Sequence, residues 1–508
     1  MLKWIIKFPE VKPMSNLYVN IDESTVTHPF LKRICCRDDF CEEMLYPFID
    51  IYSGMNVTDL MINTFCQLST TPSEIFTDYI EKYNQKKENG IDVDYTDVYN
   101  FANILKNKHN IDYSAVWFKR CWEKGIRPWL SVRMNDCHEP FEATAYLRSE
   151  FFYEAKNNGW MLGEEYGYFR NCFNYSKKEV RAKMLDYIRE QIETYDVFGL
   201  ELDFMREMKC FRYLHEDMDE CRNYLTEFIS DVRKILNKAE KIHGHYLSLL
   251  VRVPRDIEQS RMLGFDVEKF ARYADVIVPT PRFRSNDSGI RISEWKKAIQ
   301  CTEICAGIET LLSFDKNLAI SSAEIISGLA ASFLADGSDG IYLYNLFIDP
   351  DNITEPQIHP YVRNTKAITA IGSGNLYNYP LRFAVINQDD EYIPGTNWHP
   401  LPFIVGDDES IISIITGKIP ENKNISLIIG YKNTVPHVKF NGNHLMEYSL
   451  VDLKYIPGIG AQYPDYVDNE TNCIRFNVDT SLLSGKEQKI YLSSDESTEI
   501  CWIEIDVI

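Results

Sequence analysis

Between residues 17 and 347 the chain repeats one pattern eight times: a short, almost wholly apolar run, then a stretch of helical length. The runs are Leu17–Ile21, Leu60–Phe65, Ile126–Val132, Val197–Phe204, Tyr246–Val253, Asp275–Pro279, Ile304–Glu309 and Gly340–Asn345. Strands of a parallel sheet are covered on both faces, so they lose the polar–apolar alternation of a half-exposed sheet. Eight such strands separated by helices specify a closed (β/α)8 barrel. Three intervening segments read clearly as helices: Tyr113 to Lys124, stopped by Gly125; Lys178 to Tyr195; and the small-residue stretch Ser321 to Ala335.

Past residue 375 the texture changes. Leu381–Asn387, Ser410–Thr416, Ile425–Tyr431, Val438–Phe440, Ile474–Val478, Ile490–Leu492 and Trp502–Val507 are strand-like, and Asn441-Gly442 is a hairpin signal. The expected fold is therefore α/β: a (β/α)8 TIM barrel over residues 1–375, followed by a C-terminal antiparallel β-sandwich over 376–508.

Composition narrows the function class. A formal net charge of −21 argues against a nucleic-acid or anionic-membrane partner. No apolar run approaches the roughly 20 residues of a membrane span, and the N-terminus lacks the apolar core and small-residue cleavage site of a signal peptide. Thirteen scattered cysteines lack disulfide-module spacing, and reduced thiols in a cytoplasmic protein are the expectation. Cys301 and Cys305 lie one helical turn apart, with no second pair to complete a zinc site. No metal or other cofactor is expected, and homodimerisation is left open.

The reactive face of such barrels is the C-terminal ends of the strands. After the third run come Arg133, Asn135, Asp136 and His138, a polar cluster that a strand interior would resist, since each unpaired buried polar group costs roughly 1–3 kcal/mol. Other strand ends carry Asp22 and Glu23, Asp203, Arg206 and Glu207, Arg252 and Arg255, Arg282 and Arg284, Glu309, and Tyr344 with Asn345. Arginine thus follows four successive strands in an acidic chain; guanidinium groups grip carboxylate, phosphate or sulfate, or pair with rim carboxylates. On the fourth strand, alternation places Glu201 and Asp203 on one face. Chitinase-like barrels have a similar acidic strand but end it with a glutamate, where this chain has Met205. A retaining plan with Glu309 as nucleophile, and a cation site built from Asp22, Asp136, His138 and Asp203, are further arrangements these residues allow.

Between residues 139 and 176 lies a long insertion rich in Phe, Tyr, Trp and Gly, and loops of that length in compact domains are usually functional.

The Gly199-Leu200-Glu201-Leu202-Asp203-Phe204-Met205-Arg206 strand resembles those of the broad group of family 10-like glycosyl hydrolases. More narrowly, the chain resembles the glycoside hydrolase family 156 exo-sialidases. Asp22, the Arg133–Asp136–His138 set, Arg206 and Asn345 match that family's motif positions. The resemblance implies an inverting exo-α-sialidase acting on a sialoside glycan. His138, oriented by Asp136, would activate water; Asp22 would be the acid or its helper; and Arg133 and Arg206 would clamp the substrate carboxylate. Asn135, Asn345, Asp203, Glu207 and Glu309 complete the expected binding set. Two other readings stay open: a glycosidase on a uronic or neutral glycan using Asp203, Glu207 and Glu309, and a non-catalytic carbohydrate-binding barrel.

Overall fold

The computed structural model describes residues 16–21, 28–90, 99–136, 148–281, 286–310, 322–346, 348, 360–386, 400–452 and 467–508. The eight expected strands are present: β1 (Asn16–Ile21), β2 (Asp59–Phe65), β3 (Arg127–Arg133), β4 (Gly199–Asp203), β5 (Ser248–Pro254), β6 (Val276–Thr280), β7 (Glu303–Glu309) and β8 (Gly340–Tyr344). They pair in parallel in chain order and β8 closes on β1, giving a closed barrel. Apart from their first residues, the strands are buried along their whole length, which is why each reads as an uninterrupted run.

Alternate residues of each strand enter the barrel. Tyr18, Met61, Trp129, Leu250, Val276, Val278, Cys305, Tyr342 and Tyr344 form an apolar cluster of their own, separate from the main core. Near its floor, Trp129 donates through Nε1 to Asp59 at 2.8 Å and meets Tyr18 edge-on at 6.2 Å. A Cβ at Gly199 would stand 2.6 Å from both the Trp129 ring and the Ser248 carbonyl, so the indole fits only because β4 begins with glycine.

The helix Tyr113–Lys124 is capped by Asp112, which accepts from Ser114 N and Ala115 N, and ends at a left-handed Gly125. The helix Lys178–Thr194 also forms, as does Ala323–Ala335. A 26-residue helix, Met218–His243, fills the β4–β5 connection. Cys301 and Cys305 are not on a helix: Cys301 is exposed ahead of β7, and Cys305 is buried within it. All cysteines among the described residues are free thiols. From residue 148 on, the insertion carries regular structure: the helix Glu150–Asn157 and the 3-10 turns Glu164–Asn171, closed by a bridge between Met161 and Phe173.

Two antiparallel sheets make the C-terminal sandwich. The strands are β9 (Leu381–Ala384), β10 (Phe403–Val405), β11 (Ser410–Ile415), β12 (Ile425–Lys432), β13 (His437–Phe440), β14 (Asn443–Leu445), β15 (Ser449–Val451), β16 (Asn472–Val478), β17 (Glu487–Ser493) and β18 (Thr498–Val507). One sheet runs β10-β18-β12-β16-β15 with β9 also on β18; the other runs β11-β17-β13-β14. Asn441-Gly442, both at positive φ, turns β13 into β14, the geometry of a tight hairpin. The sandwich is fastened to the barrel by Ser288 N on the Ile386 carbonyl and Lys486 Nζ on the Ala335 carbonyl. No helix among the described residues is long and apolar enough to cross a membrane.

Candidate active site

At the C-terminal ends of β3, β4 and β5 the buried arginines Arg133, Arg206 and Arg252 face the buried carboxylates Asp136, Asp203 and Glu207. Arg133 ends β3 and donates from Nη1 to Asp136 Oδ2 at 3.0 Å. Asn63 of β2, in the amide orientation that satisfies both its polar atoms, accepts from Arg133 Nε at 3.2 Å. Arg206, in the turn after β4, has Nε 3.6 Å from Asp136 Oδ1 and Nη1 3.3 Å from Glu207 Oε1. Asp136 thus stands between the two guanidinium groups expected to act as a clamp. Arg252 of β5 donates to Asp203 Oδ1 at 2.7 Å and lies over the Tyr344 ring at 3.6 Å.

Asp203 also accepts from the backbone N–H groups of Met205 and Arg206, at 2.8 and 3.1 Å. These bonds fold the chain sharply after β4 and aim Arg206 at Asp136. All three bonds fall on Oδ1; Oδ2 is buried and has no hydrogen-bond partner. Burial works against the Arg206 and Arg252 cations, but the adjacent carboxylates outweigh it and hold both pKa values above the ordinary.

One layer deeper sits Glu201. The Tyr342 hydroxyl donates to its Oε1, and Asn20 Nδ2 donates to its Oε2 at 2.8 Å. Asn20 Nδ2 also reaches Ser131 Oγ at 3.1 Å, while its Oδ1 has no partner. Burial first, and the Asp203 charge second, push the Glu201 carboxyl up to about 7, against the pull of Arg252 and the hydrogen bonds from Tyr342 and Ser131. The barrel therefore holds an acid poised near neutrality directly beneath a row of ion pairs.

The expected binding residues divide. Asn135 spends its amide on the backbone: Nδ2 donates to the carbonyls of Phe173 and Lys209, both at 3.1 Å, and Oδ1 accepts from Phe173 N at 2.8 Å. It braces the insertion against the loop after β4 instead of presenting donors to a ligand. Glu309 is buried at the end of β7, its backbone strapped on both sides by the Asn286 amide. Arg255 pairs with Asp287 and Asp256. Asn345 is fully buried at a φ of 50°, and neither atom of its side-chain amide has a hydrogen-bond partner. Asp22, Glu23, His138, Arg282 and Arg284 lie outside the described residues, so the expected roles of His138 and Asp22 find no geometry here. Among the described residues no group of three or more His, Cys, Asp or Glu side chains could hold a metal ion.

Sequence reasoning passes over Gln67. It sits in the tight turn after β2, at a φ of 75°, with both amide atoms buried and unpartnered. Nothing in Phe65-Cys66-Gln67-Leu68 signals a left-handed residue, because turn propensity points to Gly or Asn. Gln67 and Asn345 thus present unsatisfied amides after β2 and β8, the two strands that flank β1. Buried amides are normally paired, and such orphans are expected where a ligand supplies the partner.

No family model matches the chain, and no curated protein matches it. Solved structures that align with it include the glycoside hydrolase domain of PgaB (BpsB) from Bordetella bronchiseptica, at 9% identity and a TM-score of 0.39, spanning 71% of this chain and 99% of that one. A family 18 N-acetylglucosaminidase from Paenibacillus barengoltzii aligns at 11% identity and a TM-score of 0.35, over 71% and 99% of the two chains. A family 20 module of the pneumococcal exo-β-D-N-acetylglucosaminidase StrH aligns at 9% and 0.40, over 72% and 83%. Likeness this weak carries no argument about activity; the barrel itself rests on the strand pairing.

Proposed function

We propose that this chain is a glycoside hydrolase, and that the barrel mouth cleaves a terminal acidic sugar, sialic acid in the first instance, from a glycan with inversion. One observation carries the reading: Arg133, Arg206 and Arg252 are buried together and matched by Asp136, Asp203 and Glu207. Glycosidic cleavage needs one carboxylic acid that holds a proton for the leaving oxygen. Where that acid is one of these paired carboxylates, its guanidinium partner gives up an anionic contact in a low-dielectric site, and a carboxylate on the substrate supplies a replacement. Sialic acid carries its carboxylate on the anomeric carbon, so the same contact both binds the sugar and places the scissile bond.

In this reading Arg133 and Arg206 take the carboxylate and the orphan amide of Asn345 takes a hydroxyl or amide of the sugar. His138, two residues beyond Asp136, activates the attacking water, and Asp22 serves as the acid or its helper. Inversion leaves room for that water between base and sugar. The test is initial rates on matched aryl glycosides: an α-sialoside, a β-glucuronide and a β-galactoside. Cleavage of the sialoside alone is the expected result; cleavage of the galactoside alone overturns the acidic-sugar reading.

The partnerless Oδ2 of Asp203 favours one alternative, a glycosidase of other specificity whose acid is Asp203 with Glu207 or Glu309. Abolished turnover in Asp203→Asn, with His138→Ala unaffected, is the pattern that reading requires.

A further inference from the structure

The paired groups at the mouth continue outward into the insertion. Tyr168, on the 3-10 turns Glu164–Asn171, donates its hydroxyl to Glu207 Oε1 at 2.7 Å, the same oxygen that Arg206 approaches at 3.3 Å. From there the chain of contacts runs through Arg206 and Asp136 to Arg133 in the barrel. Its inner members are buried, whereas Tyr168 is 38% exposed. The exposed end of a buried ion-pair chain is thus an aromatic ring whose hydroxyl is tied down.

The lobe that carries this ring is held on several sides. Leu162 N donates to the Cys172 carbonyl and Gly163 N to that of Arg170, both at 3.0 Å. The Arg212 guanidinium grips the Met161 carbonyl at 2.6 Å, and Leu214 N donates to the Tyr166 hydroxyl at 3.2 Å. Phe169 meets Tyr168 edge-on at 5.1 Å and carries the Lys209 ammonium 4.5 Å from its centroid. The insertion is therefore fastened to the very loop that bears Arg206 and Glu207. A ring so fixed gives contact area at little entropic cost.

An exo-acting site holds the terminal sugar at its closed end and leaves the rest of the glycan at the open one. We propose that Tyr168 is the surface on which the leaving sugar stacks, and that its hydroxyl positions Glu207 for Arg206. The proposal rests on the glycosidase reading of the mouth. It gives the insertion two tasks: specificity through the ring and positioning through the hydroxyl.

The ring and the hydroxyl separate experimentally. In the full chain, kcat and KM are measured for 3′-sialyllactose, and the inhibition constant for methyl α-sialoside, in wild type, Tyr168→Phe and Tyr168→Ala. Both variants lose the bond to Glu207, and both are expected to show about a tenfold lower kcat. Only Tyr168→Ala loses the ring, so only it raises KM for sialyllactose, by about tenfold relative to its effect on methyl α-sialoside. Equal KM values in the two variants overturn the stacking surface, and an unchanged kcat in Tyr168→Phe overturns the positioning role. The same pair is run on a glucuronate-terminated trisaccharide and a galactose-terminated tetrasaccharide. Turnover of one of these in place of the sialoside, with the same ring dependence, discards sialic acid and supports the Tyr168 surface. No turnover of any of the three by wild type overturns both proposals.

Discussion

Glu201 couples the barrel interior to pH, and Glu201→Gln measures how strongly. In the folded barrel burial holds this carboxyl up to about 7, against 4.5 for the ordinary group. Its folded pKa lies above its unfolded one, so the stabilisation is fully present below about pH 4.5 and is lost as pH rises through about 7. A difference of some 2.5 units at about 1.4 kcal/mol each makes ionised Glu201 cost about 3 kcal/mol at pH 8. Glutamine is nearly isosteric and does not ionise. Its carbonyl accepts from Tyr342 as Oε1 does now, and its amide meets the Asn20 Oδ1 that has no partner at present once the Asn20 amide turns over. Wild type and variant are therefore expected to have similar stability at pH 5, with the variant ahead by about 3 kcal/mol at pH 8. Urea unfolding followed by tryptophan fluorescence at pH 5, 6, 7 and 8 reads this directly. If the chain melts as one unit, the gap at pH 8 corresponds to about 3 °C in Tm, from roughly 2.1 cal/mol/K per residue. Parallel stability curves across the whole range refute the argument. So does a variant that is destabilised equally at every pH, which would mean that the hydrogen bonds and not the charge dominate the site.

Gly199→Ala puts a methyl group 2.6 Å from the Trp129 ring and the Ser248 carbonyl, and overpacking of this kind is expected to cost about 1–3 kcal/mol in urea unfolding. Asn135→Ala removes three bonds to the backbone of the insertion and the β4 loop; global stability falls by about 2 kcal/mol, and hydrogen exchange speeds up at Phe173. Unchanged exchange there means that the Asn135 amide does not hold the lobe.

The barrel is legible because its strands are buried on both faces, so β1 to β8 stand out as apolar runs between polar helices. In the sandwich the long strands also show themselves, whereas β10, β14 and β15, at three residues each, are too short to display any alternation. Period-two alternation is enough to place Glu201 and Asp203 together, and the structure puts them one above the other in the barrel. Alternation says nothing about partners, however. Asn135 has the residue type of a ligand-binding amide and is spent on backbone, while Gln67, of unremarkable context, is left with both polar atoms unsatisfied. Such assignments depend on contacts across dozens of residues of sequence, such as Asn135 with Phe173 or Tyr168 with Glu207, which no local pattern encodes.

The decisive measurement is proton NMR of the first sugar released from an aryl α-sialoside, by wild type and by Arg206→Ala. Arg206 lies between Asp136 and Glu207 and in this reading grips the substrate carboxylate; truncating one partner of a desolvated charge pair between protein and ligand costs roughly 2–5 kcal/mol, so kcat/KM is expected to fall by about thirtyfold or more. Initial release of β-sialic acid by wild type, lost in the variant, is the result that an inverting site built on these arginines requires. Initial release of the α-anomer, or an Arg206→Ala enzyme that works as well as wild type, contradicts it.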